Sequence, residues 1–350
     1  MSEARRQQLL EWLLAPSLPP EAEIPEICSE GRNLNQHAWI LGQLVALGDP
    51  PIESWEPVSM RERYLSGANA LEQMPTGVKS QDLSCPGPSG KLALRLYTPK
   101  EPNPRASQKP LPCILYLHGG GMVIGNLDSH AGLCARLSQS SGMAVLALDY
   151  RLAPEHPFPA ALEDAQAAWL WLRAHAPKLD IHPEKLAVAG DSAGGNLTAA
   201  LIHLLLSQAA PDPASMPKAQ ILLYPWLDMT QDWPSLQSMA EGPVLSRAAI
   251  DWFRQQYLGK AGTTALTDPR LSPLLAPTCG QEPPSFVLTC GFDPLRDMGQ
   301  AYAQSRQAAG VDVEAVEYPG QIHAFLQAPA VFPDAQLALA HICAWLKAKL

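Results

Sequence analysis

The sequence predicts an α/β fold: a mostly parallel central sheet with helices on both faces and a helical cap. Three observations lead there. From about residue 113 to the C-terminus, apolar runs of strand length alternate with helical patterns, which implies parallel strands whose connecting helices cover both faces. One of those strands, residues 186–189, enters a helix through a single tight glycine turn. Between Trp226 and about Leu275 the alternation stops, which marks an inserted segment. At 350 residues and 47% hydrophobic, the chain is long enough to bury a sizeable core.

Taken in order, residues 1–50 read as two amphipathic helices. Leu9, Leu10, Leu13 and Leu14 form one apolar stripe, residues 35–47 carry a second, and Pro19, Pro20, Pro50 and Pro51 punctuate them. Helices of this kind need a surface to cover. Residues 77–99 change to strand patterning, with Leu92, Leu94 and Leu96 alternating against Lys91, Ala93 and Arg95. A polar loop follows at 102–109. Residues 113–117 form an apolar strand ending in His118-Gly119-Gly120-Gly121, and 143–148 form another after a helix around Leu133. The rhythm then continues through a helix at 160–174, strands at 221–224, 286–290 and 311–317, a helix at 298–309, and a last helix carrying Leu339, Ile342, Trp345 and Leu346.

The interrupted stretch holds Trp233, Trp252, Phe253 and Tyr257 among helical residues and prolines. These aromatics either line a pocket or form the insertion's own core. The expected organisation is therefore N-terminal cap helices at 1–50, a first part of the α/β domain at 51–225, a cap insertion at 226–275 and a second part of the α/β domain at 276–350.

The formal net charge of −9, without a long run of one sign or a basic patch, argues against nucleic acid as a partner. No apolar run approaches the roughly 20 residues of a membrane span. The seven cysteines (Cys28, Cys85, Cys113, Cys134, Cys279, Cys290 and Cys343) form no C-x-x-C pair, and an odd number cannot all pair within one chain. Reduced, buried thiols suit a cytoplasmic location. The N-terminus shows no convincing signal peptide.

Chemistry concentrates at Gly190-x-Ser192-x-Gly194. Glycine on both sides of the tip removes the β-carbons that would clash where strand meets helix, so Ser192 can hold a strained conformation with its hydroxyl outward. The helix N-terminus behind it leaves the Ala193 N–H free to meet a developing negative charge. A serine hydroxyl needs a base, and the base needs an orienting group. Asp293 follows the strand at 286–290, and His323 follows the next one. Nucleophile, acid and base thus come in the order expected of an α/β-hydrolase. Asp297 is a competing acid, but it stands where carboxylates cap helices. His118-Gly-Gly-Gly121 lacks the lysine and Ser/Thr of a phosphate loop and instead suits an oxyanion hole, with Gly120, Gly121 and Ala193 as N–H donors. No H-E-x-x-H motif or ligand cluster suggests a metal. In Tyr150-Arg-Leu-Ala-Pro-Glu155, Arg151 and Glu155 read as an internal ion pair, and His156 as structural. His37, His130, His175, His182, His203 and His341 stand without a partner motif.

Together, His118-Gly-Gly-Gly121, Tyr150-Arg-Leu-Ala-Pro-Glu155, Gly190-Asp-Ser-Ala-Gly-Gly195, Asp293-Pro-Leu-Arg-Asp297 and Ile322-His323 resemble the hormone-sensitive-lipase family of microbial carboxylesterases, from about Leu92 onward. The resemblance implies an α/β-hydrolase fold, a cap built from the N-terminus and an insertion, and a small-molecule ester substrate with short to medium acyl chains. It implies no cofactor, and a homodimer is plausible for the family. By motif it assigns Ser192 as nucleophile, Asp293 as acid, His323 as base, and Gly120, Gly121 and Ala193 as oxyanion donors; Asp191 makes local hydrogen bonds. Ala324 departs from the family, in which many members have glycine. Amide, lactone, carbamate or thioester hydrolysis would use the same residues. A non-catalytic receptor, known among relatives that have lost the histidine, is disfavoured by His323.

Overall fold

The computed structural model describes residues 3–15, 17–19, 24–48, 50–72, 74–100, 110–207, 215–278 and 280–350. The polar loop read at 102–109 lies outside the described residues. The N-terminal part contributes α1 (Glu3–Leu14), a small antiparallel pair β1 (Cys28–Ser29) and β2 (Arg32–Asn33), then α2 (Gln36–Gly48) and α3 (Pro57–Leu71). A long antiparallel hairpin follows, β3 (Val78–Gly87) and β4 (Gly90–Pro99). Then strand and helix alternate: β5 (Leu111–Leu117), α4 (Ala131–Ser141), β6 (Ala144–Asp149), α5 (Ala160–His175), β7 (Ile181–Asp191), α6 (Ala193–Leu206) and β8 (Gln220–Leu223). The chain ends with α7 (Pro234–Ser238), α8 (Arg247–Leu258), β9 (Ser285–Phe292), α9 (Arg296–Ala308), β10 (Val313–Ile322) and α10 (Pro333–Lys349).

The eight-stranded sheet runs β10-β9-β8-β7-β5-β6-β4-β3, parallel from β10 to β6 and antiparallel at β4 and β3. Central strands are buried along nearly their whole length, as expected when helices cover both faces. On β4, Leu92, Leu94 and Leu96 are buried as the alternation predicts. Register decides where the functional loops emerge. Leu117 pairs with Gly190, Asp191 with Leu223, and Ile322 with Phe292, so β5, β7, β9 and β10 all end at one edge of the sheet. In open α/β sheets ligands sit at that carboxyl edge.

Three readings change. On α1 the buried set is Leu9, Trp12 and Leu13, whereas Leu14 is 60% exposed. Positions 9, 12 and 13 share one helical face and 14 lies off it. Helix α3 adds an element between the N-terminal helices and the strand patterning at 77–99; Pro57 at its first turn and the Met60, Tyr64, Leu71 spacing mark it. The Arg151–Glu155 pair does not form. Arg151 is turned to the fully buried Asp164 on α5, donating to both carboxylate oxygens at 2.9–3.0 Å, while Glu155 pairs with Arg61 of α3 at 2.6 Å. Desolvation decides this, because a buried carboxylate must be hydrogen-bonded and the exposed one need not be.

Residues 226–275 contain no strand. Ser246 caps helix α8, its Oγ accepting from the Ala249 N–H at 3.1 Å. Its Trp252 meets Trp55 edge-on, ring centroids 5.4 Å apart, and α2 rests directly on Pro243 at Gly42, where a β-carbon would come within 2.7 Å of the proline ring. Among the described residues no helix is long and apolar enough to cross a membrane.

Candidate active site

Ser192 forms the tip of the turn between β7 and α6, with φ +54° and ψ −116°. A non-glycine residue there costs on the order of 1–3 kcal/mol and persists only where the surroundings over-determine it. They do: the Ser192 N–H donates to Leu223 O at 2.8 Å, and its carbonyl accepts from Trp226 and Asn196 N–H, both at 3.1 Å. The flanking glycines permit the close approach. A β-carbon on Gly190 would lie 2.2 Å from Gly194 O, and one on Gly194 would lie 1.9 Å from Leu117 O on the neighbouring strand.

The loop after β10 brings His323 to the serine. His323 Nε2 stands 2.9 Å from Ser192 Oγ, and its Nδ1 stands 2.8 Å from Asp293 Oδ2 on the loop after β9. Asp293 is fully buried, and its second oxygen accepts from the Leu295 N–H at 2.8 Å, which fixes the carboxylate plane. Tyr224 flanks the imidazole edge-on at 5.0 Å. A hydroxyl, an imidazole and a carboxylate in this chain can pass a proton from serine to histidine while the carboxylate holds the ring's tautomer and orientation. Asp297, the competing acid, accepts instead from the Ser235 N–H and from Arg296 Nε at the start of α9.

The glycine loop after β5 lies alongside. Gly120 and Gly121 have φ of +109° and +61°, and among the described residues no acceptor takes up their N–H groups. Ala193 opens α6, where a backbone N–H has no intrahelical partner. The loop is anchored behind by the buried Asp191. Its Oδ1 accepts from Gly119 N–H at 3.0 Å and from Tyr116 Oη–H at 2.7 Å. Burial pushes the Asp191 carboxyl up, but the His130 ring and the hydrogen bonds from His130 and Tyr116 outweigh it and leave it below the usual range. His118 is stacked on Tyr150 at 4.1 Å, and burial, reinforced by His130, lowers its pKa to about 3. It is therefore neutral, with Nδ1 2.8 Å from Gly119 O, and serves the loop's shape.

Four neighbours escape a reading of the sequence. His130, read as isolated, is buried 3.4 Å from Asp191 Oδ2 and 3.3 Å from the Gly119 nitrogen. Gln327, four residues past His323, donates to Asp191 Oδ2 at 3.3 Å. Arg61 and Tyr64 come from α3. The helical spacing of α3 was a signal for the last two; for His130 and Gln327, whose partners lie 61 and 136 residues away, there was none. Ala324, where the chain departs from the resemblance, has φ +63°, the left-handed conformation that favours glycine.

Comparisons with known proteins agree with this architecture. A family described as alpha/beta hydrolase fold matches residues 114–327. The chain is 42% identical over 271 residues to the carboxylic ester hydrolase LipN of Mycobacterium tuberculosis, covering 77% of this chain and 70% of that protein. It is 40% identical over 248 residues to the ethyl acetate hydrolase of Pseudomonas putida, covering 71% and 76%. Among solved structures, the ester-hydrolase EH1AB1 from the metagenome of Lake Arreo, complexed with a bipyridine phosphonate derivative, superposes with a TM-score of 0.83 at 34% identity, covering 90% of this chain and 98% of that one.

Proposed function

The chain belongs to the α/β-hydrolase family, in its hormone-sensitive-lipase-like branch, and from that premise we propose that it is a serine carboxylesterase acting on short to medium acyl esters. The observation that carries the reading is the unbroken relay Ser192 Oγ, His323 Nε2, His323 Nδ1, Asp293 Oδ2, with steps of 2.9 and 2.8 Å.

In this mechanism His323 takes the Ser192 proton as Oγ attacks the ester carbonyl carbon. The N–H groups of Gly120, Gly121 and Ala193 receive the oxyanion, and Asp293 stabilises the imidazolium. His323 then gives its proton to the departing alkoxide, so the alcohol leaves and an acyl-serine remains. Water enters, loses a proton to His323, and the acid departs as the serine is reprotonated. Each oxyanion donor contributes on the order of 3–4 kcal/mol of transition-state stabilisation.

Residues 1–50 and 226–275 form the cap in this reading, and 51–225 with 276–350 the catalytic domain. The Gly42–Pro243 contact supports that pairing. Phe253 on α8 lies against Gly121, where a β-carbon would meet its ring at 2.3 Å, so the cap crowds the oxyanion loop and favours compact acyl groups.

Ser192→Ala is expected to reduce p-nitrophenyl acetate hydrolysis about a millionfold, by analogy with other triads. Turnover retained at the parental rate excludes the mechanism. Across p-nitrophenyl esters with acyl chains of about two to sixteen carbons, kcat/KM should decline for the long members.

A further inference from the structure

The hydrogen bonds made by α3 point to a role that the triad and the oxyanion loop do not themselves supply. Arg61 and Tyr64 are three residues apart, so their side chains leave the same face of the helix. They go to different catalytic loops. Arg61 Nε donates to Val123 O at 2.8 Å, two residues past Gly121, and its terminal nitrogen donates to Ala153 O at 2.8 Å. The Ala153 N–H in turn donates to Met122 O at 2.8 Å, and Met122 itself has a positive φ of 60°. The back of the oxyanion loop is thus held in an unfavourable conformation by α3 and by the loop after β6. Glu155 fixes the guanidinium from the other side with two hydrogen bonds of 2.9 and 2.6 Å.

Tyr64 reaches the second loop. Its hydroxyl donates to Gln327 Oε1 at 3.0 Å, which orients the amide so that Nε2 donates to Asp191 Oδ2 at 3.3 Å. Gln327 lies in the short helical turn that follows His323 and Ala324. Asp191 is the neighbour of the nucleophile and the acceptor for Gly119. One hydrogen-bonded path therefore runs from α3 through the base loop to the nucleophile turn and the oxyanion loop.

We propose that α3 is a brace that sets the distance between the oxyanion loop and the base loop, with Arg61 and Tyr64 as its two positioning residues. The inference rests on the esterase reading for its kinetic consequence. Substrate binding does not need the brace, but the transition state does, because misplacing catalytic groups by about 1 Å costs up to about a hundredfold in rate.

The test uses the full chain with Tyr64→Phe, which deletes one hydroxyl, and Arg61→Gln, which keeps a polar side chain without the fork. Assays are run well below each variant's melting midpoint. The expected result is a fall in kcat of about tenfold in each variant with KM unchanged, and a parallel fall in the rate at which an alkyl phosphonate labels Ser192. Amide hydrogen exchange should accelerate in 119–125 for Arg61→Gln and in 323–327 for Tyr64→Phe. Unchanged exchange in both segments, kcat within about twofold of the parent, or a loss confined to KM overturns the brace. If the parent itself fails to hydrolyse esters, the esterase reading falls, and the exchange measurement still decides the brace.

Discussion

Two carboxylates stand four residues apart after β9, and only one touches the imidazole. Asp293 accepts from His323 Nδ1, whereas Asp297 is spent on Ser235 and Arg296 at the head of α9. Substituting Asp293 by Asn keeps the shape but presents an N–H or a poorer acceptor to the ring, which favours the wrong tautomer. By analogy with other serine triads, Asp293→Asn should lower kcat for p-nitrophenyl acetate by about 10⁴-fold. Asp297→Asn should leave kcat within a few-fold and cost about 1 kcal/mol of stability, the size of a lost helix-cap interaction. Equal losses in the two variants, measured by initial rates and urea unfolding, would contradict the assignment.

Between elements, the buried and exposed members of the arginine network should behave differently. Asp164 is fully buried on α5 and holds Arg151, which tethers the segment after β6. Removing it leaves a partly buried guanidinium with only the half-exposed Glu163 at 3.4 Å as a carboxylate partner, and breaking a buried pair costs about 3–5 kcal/mol. Glu155 is held far down, to about 2, chiefly by its hydrogen bond to Arg61. Taken alone, that depression would suggest a comparable contribution. Its side chain is 49% exposed, however, and solvent screening reduces exposed pairs to about 0–1 kcal/mol. Asp164→Ala should therefore lower the unfolding free energy by about 3 kcal/mol or more, and Glu155→Gln by less than about 1. A reversed order in denaturant titrations would count against the burial argument.

For the molecule as a whole, the buried His118 and the largely buried His203 make stability depend on acid. Burial, reinforced by His130, lowers His118 to about 3, and burial with the Arg306 charge lowers His203 to about 3, both from 6.5. Each is neutral in the folded state, while in the unfolded chain each takes up a proton below about pH 6.5. The unfolded state thus binds more protons on acidification, and stability is present above pH 6.5 and lost as pH falls towards 3. Each ring contributes a slope of up to about 1.4 kcal/mol per pH unit. Urea unfolding at pH 7 and pH 5 should differ by about 2–4 kcal/mol, and equal midpoints would refute the linkage.

The primary chain alone was enough for the alternating architecture, the strained serine turn and the three loops that carry Ser192, Asp293 and His323. These features are local: a strand ends, glycines permit a turn, and a reactive side chain follows within a few residues. Which acid meets the histidine, where Arg151 turns, how His130 and Gln327 reach Asp191, and how Arg61 and Tyr64 reach the catalytic loops depended on the folded chain. Those contacts join residues tens to hundreds of positions apart, and they form only because parallel strands in register bring their ends to one edge of the sheet. Charge and hydrogen-bonding capacity are written in the residue types, but the partner each one takes is settled by desolvation, which exists only once the core has closed.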